Sequence, residues 1–141
     1  MIYAFNKGVT IVCAAGNAGT SAAQYPAAYT QCISVSAVRL DKTYTGYTSY
    51  GSTIDVCAPG GDTNVDQDGD GYKDGVLQQT HDGTNYGTFA YYFYQGTSMA
   101  CPHVAGLAAL LISKNGGSMT PDAVRAAIQN TATDLGAAGW D

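Results

Sequence analysis

Ser98 and Asn17 are the residues best placed for covalent chemistry. Ser98 follows the turn pair Gly96 and Thr97 and opens a run, lasting through Ser113, that holds no fixed charge. A serine at a helix start can cap the helix, and its backbone N–H is a donor the helix cannot satisfy internally, so negative charge is favoured there. Asn17 follows Gly16 at the end of the apolar run 9–15, where its side-chain amide offers a second donor. A serine attacks a carbonyl only if a base takes its proton and donors receive the charge on the oxygen. On residue type alone, the bland alternatives are a plain helix cap for Ser98 and a turn residue for Asn17.

The histidines supply no evident base. His103 lies five residues after Ser98 on the same expected helix, about 140° around the axis at roughly 100° per residue, so its ring points away from the hydroxyl. A buried histidine bonded to backbone is the expectation there. His81 sits in a polar loop and is expected to be exposed.

A second cluster suits a metal. Asp66, Asp68 and Asp70 alternate, Gly71 follows, and Asp74 comes four residues after Asp70. These match positions 1, 3, 5, 6 and 9 of a calcium loop, with the Tyr72 carbonyl at position 7. Leu77 stands where position 12 calls for an acid. Crowded carboxylates repel one another without a cation, so structural calcium is expected over a solvated acidic turn, with Asp62 or Asp82 as outside ligands. Cys13, Cys32, Cys57 and Cys101 have no zinc spacing and sit among apolar residues. Free thiols and bridges both remain open.

The elements that must hold these groups are legible in outline. Residues 9–15, 32–38 and 54–58 are short apolar runs, expected as strands of one sheet covered on both faces. Neither 18–31 nor 39–53 reads as a long helix. Composition shifts to Asp and Gly over 61–80. After it, the pairs Asp82-Gly83 and Tyr86-Gly87 and the aromatic run 89–94 predict a hairpin leading to Gly96. A helix is expected from 98 to about 114, buried nearly all round, with Pro102 in its first turn. A last helix has Thr120 as cap, Pro121 first, and Val124, Ala127 and Ile128 on one face.

The chain of 141 residues suits one domain or part of a larger one, and 45% hydrophobic content argues against disorder. Charged residues make up 12%, against a usual share of about 25%. A net charge of −5 with six Lys and Arg and no basic cluster predicts no nucleic-acid partner. The longest uncharged stretch is too short and too rich in Gly and Pro for a span of about 20 residues, so no membrane partner is expected. The first residues lack the pattern of a signal peptide.

GTSMACPHVAG (96–106) resembles the serine motif of the subtilisin-like serine proteases, and VTIVCAAGN (9–17) resembles the segment carrying their oxyanion-hole asparagine. YTSYG (47–51), DVCAPG (55–60) and TPDAVRAAIQNTA (120–132) are similar to later segments in the expected order. The resemblance implies an α/β fold, a parallel sheet flanked by helices with a hairpin before the nucleophile helix. It implies a serine endopeptidase acting on polypeptide through an acyl-enzyme on Ser98, with Asn17 and the Ser98 N–H as oxyanion donors and Thr97 supporting them. Ala14, Ala15 and Gly16 become one wall of the substrate pocket, and Tyr25-Pro26 a cis peptide.

In that family the triad runs Asp, His, Ser along the chain, yet the sixteen residues before Asn17 hold neither Asp nor His. The resemblance therefore implies a single partial domain over 1–141, the carboxyl-terminal half of the catalytic domain, with the acidic stretch at about 61–80 as an insertion. The partner it calls for is the N-terminal half of the same domain. Trp140 and Asp141 end the chain without a stop signal, so both ends look cut. Secretion is expected of the intact parent, and little activity of the chain alone. Two rivals stand beside this reading: a non-catalytic pseudoenzyme or calcium-binding scaffold, and another serine hydrolase. The second is weak, because GTSMA lacks the second glycine of a GxSxG elbow and no histidine follows His103.

Overall fold

The computed structural model describes residues 1–135, so Trp140 and Asp141 lie outside the described residues. The elements run α1 (Ile2–Asn6), β1 (Ile11–Ala14), β2 (Cys32–Val38), β3 (Val56–Pro59), β4 (Val76–Thr80), β5 (Ala90–Tyr94), α2 (Thr97–Lys114) and α3 (Pro121–Thr131). Strands β1, β2 and β3 form a parallel sheet in that order, with β2 central. Every residue of β2 is buried, as a strand covered on both faces requires.

Alternation divides the two faces. Ile33, Val35 and Ala37 join Val56 and Ala58 in one apolar core with Ala100, Val104 and Ala108 of α2 and Val124 and Ile128 of α3. Small residues on α2 let it lie close to the sheet. On the opposite face Ser36 donates to the Ser49 carbonyl and lies 3.2 Å from Thr48 Oγ1, while Thr48 Oγ1 accepts the Ala37 N–H at 2.8 Å. A loop rather than a helix covers that part of the sheet.

The last helix follows expectation. Thr120 Oγ1 accepts the Ala123 N–H at 3.2 Å with Pro121 as first helical residue. Val124 and Ile128 are buried and Ala127 is half-buried. Tyr25-Pro26 is cis.

Four expectations need correction. The hairpin pairs β4 with β5 from Val76 opposite Tyr94 to Thr80 opposite Ala90, so its first strand lies inside the stretch read as an Asp/Gly loop. Helix α2 is not buried all round: Thr97, Ala100, Val104 and Ala108 are buried, whereas Leu107 and Leu110 are 44% and 69% exposed. Gly96, not Ser98, is the N-cap. Pro102 is then the sixth helical residue, beyond the first turn, and the Ser98 carbonyl loses its i+4 donor. For the cysteines the sequence left thiols and bridges open, and among the described residues no disulfide joins them.

Candidate active site

The sheet delivers one half of the site. Ala15 extends the strand by donating its N–H to Val35 O at 2.9 Å, and Gly16, at φ +106°, turns the chain so that Asn17 leaves the carboxyl edge. Helix α2 delivers the other half. Its cap Gly96 has φ +141°, and a Cβ there would stand 3.2 Å from Asn17 Nδ2, so the absence of a side chain lets the amide rest against the turn.

Thr97 locks the halves together. Its N–H and hydroxyl both donate to Asn17 Oδ1, at 2.9 and 3.0 Å, and its Oγ1 accepts the Gly16 N–H at 3.1 Å. Thr97 is 1% exposed, so its end of these bonds is shielded from water, while Asn17 itself is exposed. Because Oδ1 accepts both, Nδ2 is the end of the Asn17 amide left to donate elsewhere. Ser98 follows in the first turn with its side chain exposed. An oxygen gaining negative charge there meets an amide donor, first-turn N–H groups and the positive end of an 18-residue helix.

The structure brings Asn17, Thr97 and Ser98 to one edge, with Ala14 and Gly16 half-buried and Ala15 buried beside them. It brings neither histidine to Ser98. His103 is exposed rather than buried, and its Nδ1 lies 2.8 Å from Met99 O on its own helix. His81 is half-buried rather than exposed; its Nδ1 accepts the Gly83 N–H at 2.9 Å and its ring packs 4.5 Å from Tyr86.

One residue beside the site escaped the sequence reading. Tyr47 donates its hydroxyl to Gly61 O at 2.7 Å and accepts the Gly96 N–H at 3.0 Å. Burial pushes its phenol above the ordinary tyrosine range. No spacing signal marks it, because its partners are backbone atoms 14 and 49 residues away.

In the acidic loop, carboxylate oxygens of Asp66, Asp68 and Asp74 lie within 4.8 Å of one another. Asp66 accepts from the N–H groups of Gly69 and Gly71, at 2.7 and 3.0 Å, and Asp74 accepts from Gln67 N–H at 2.6 Å. Glycines at φ +74° and +88° make the tight turns. Asp70 is outside the trio and accepts instead from Tyr72 N–H at 2.8 Å. Neither outside candidate is free to join. Asp62 pairs with Arg39 at 2.8 Å and accepts from Asn64, and Asp82 accepts from Thr84 and Asn85 within its own turn. Bonds from the Asn85 N–H and then Thr84 hold the Asp82 carboxyl down at about 2.

Asn17, at the carboxyl end of the parallel sheet, is thus tied to the residue before Ser98 at the start of α2. The sequence pattern of the subtilase family, peptidase S8, matches residues 2–141, and the chain belongs to that family. Thermitase from Thermoactinomyces vulgaris is 39% identical over 97% of this chain and 41% of its own length. Subtilisin BL from Lederbergia lenta is 38% identical over 94% of this chain and 42% of its own length. Among solved structures, a protease from Pseudoalteromonas arctica superposes with a TM-score of 0.82 at 34% identity, covering 93% of this chain and 38% of that one. A cold-adapted subtilisin-like serine proteinase gives 0.72 at 27% identity, covering 93% and 41%. The chain thus spans about two fifths of the length of these relatives. No helix among the described residues is long and apolar enough to cross a membrane.

Proposed function

We propose that this chain carries the nucleophile and oxyanion half of a serine endopeptidase. Ser98 gives its proton to the base and attacks a peptide carbonyl, while its own N–H and the Asn17 amide hold the oxyanion. The C–N bond breaks as the amine leaves with that proton, and water then hydrolyses the acyl ester to free the acid and Ser98. Ala14, Ala15 and Gly16 wall the pocket for the substrate residue. The lock of Thr97 onto Asn17 carries this reading, since it orients the amide with its donor end free. The base and its carboxylate come from an N-terminal half of the same domain, and the intact parent is secreted. A fluorophosphonate probe tests this. The chain alone labels weakly at Ser98; joined to upstream sequence carrying the Asp and His segments it labels stoichiometrically, and Ser98→Ala abolishes labelling. Upstream sequence without those segments, with no labelling, favours a non-catalytic scaffold.

The same proposal includes calcium at Asp66, Asp68 and Asp74. Three carboxylates so close, with oxygen donors only, fit a hard cation, which would neutralise them and pin the loop that precedes β4. The Tyr72 carbonyl and a reoriented Asp70 complete the set named from the sequence. EDTA should lower the melting temperature and added calcium restore it, with Asp66→Asn insensitive to both; a melting temperature that neither EDTA nor added calcium moves, with no calcium released by the chelator, refutes the site.

A further inference from the structure

Three chain segments meet at the entrance to α2, and the hydroxyl of Tyr47 lies where they cross. It donates to Gly61 O at 2.7 Å and accepts the Gly96 N–H at 3.0 Å, while the same N–H also reaches Gly60 O at 3.0 Å. The Tyr47 ring packs against the main core, so the hydroxyl is held by a side chain that cannot swing away. The gripped amide is one residue before Thr97, whose N–H donates to Asn17 Oδ1 at 2.9 Å. Thus an unbroken series of contacts runs from Gly61 through Tyr47 and Gly96 to the Asn17 amide.

We propose that Tyr47 is a positioning residue for the oxyanion donors Asn17 and Ser98. The role rests on the peptidase reading above and deepens it. A phenylalanine fills the same space but leaves Gly61 O without its donor and the Gly96 N–H with one acceptor instead of two. The peptide entering α2 then rocks, and the rocking passes to Thr97 and Asn17. A purely space-filling role for Tyr47 has no such reach, because a phenylalanine ring would pack as well as the native one.

The test is made on the isotopically labelled chain by NMR. In Tyr47→Phe, the Thr97 amide should exchange about tenfold faster, the size of one lost hydrogen bond, and the Asn17 side-chain amide signals should shift. Amides remote from the site, such as Val124, should stay as they were. Changes confined to Gly61 and Gly96, with Thr97 and Asn17 unmoved, overturn the proposal. If the phenylalanine variant does not fold, 3-fluorotyrosine at position 47 carries the same test. Its ring fluorine reports ionisation of the phenol, which faces Asp62 and Arg39 as its charged neighbours, and a phenolate cannot donate to Gly61 O. The Thr97 and Asn17 signals should move with the fluorine midpoint; movement at an unrelated pH overturns the coupling. None of these signals needs hydrolysis. Failure of Ser98 to label in the upstream-extended chain would therefore sink the peptidase reading while leaving the coupling result intact.

Discussion

Thr97 differs from valine by a hydroxyl in place of one methyl, and that hydroxyl makes two of the bonds that join the turn after β1 to α2. Thr97→Val keeps the shape but takes from the half-buried Gly16 N–H its acceptor on the buried Thr97 side chain. The expected cost is about 1–3 kcal/mol, measurable by urea unfolding, with Thr97→Ser restoring most of it; an unchanged midpoint would show that the lock holds nothing. Asp62 makes a second residue-scale prediction. Burial opposes its ionisation, but bonds from the Asn64 N–H and the Arg39 guanidinium outweigh that and hold its carboxyl below the ordinary range. A depressed folded-state value means the stabilisation is complete above the unfolded carboxyl's pKa of about 3.9 and drains away as pH falls below it. Asp62→Asn should therefore lose stability at neutral pH and show a flatter decline below about pH 4. Parallel acid unfolding curves for the two proteins would contradict this.

At the scale of elements, the end of β3 and the entrance to α2 are built into each other. A Cβ on Gly60 would fall 2.4 Å from the Ala37 Cβ and 2.9 Å from Gly96 O, both on rigid backbone. Gly60→Ala should cost at least about 1–3 kcal/mol by overpacking, and it should disturb Ser98 labelling in an active extended chain; a native melting temperature would mean the contact relaxes freely. Which elements were legible follows from the same physics. The run 32–38 reads as a buried strand because every residue is small or apolar, and Thr120-Pro121 announces α3 because cap chemistry is local. Strand β4 was missed because Gln78, Gln79 and the preceding glycines look like loop; it is a strand only through pairing with the aromatic β5. Tyr47 was missed for a similar reason, since a hydroxyl bonded to backbone leaves no pattern in sequence. Ser98 and Asn17 could be found because motif wording carried them, whereas the cap at Gly96 depends on backbone geometry.

For the whole molecule, the unexpected finding is where the apolar surface lies. Periodicity tells which residues of α2 are apolar but not what packs on them, so the helix read as buried while His103, Leu107 and Leu110 form an exposed stripe. Strand β1 is an edge of the sheet among the described residues. Exposed apolar stripes and open strand edges both favour association. The chain on its own should therefore self-associate: at about 100 µM, within the range where exposed apolar surface drives aggregation, light scattering should give a mass above the 14.6 kDa of one chain. Leu107→Glu combined with Leu110→Glu should return the mass to that of a monomer with unchanged helical circular dichroism. A wild-type chain that stays monomeric at this concentration would mean that the stripe is covered in solution, and a double variant that still associates would shift the cause to the open edge of β1.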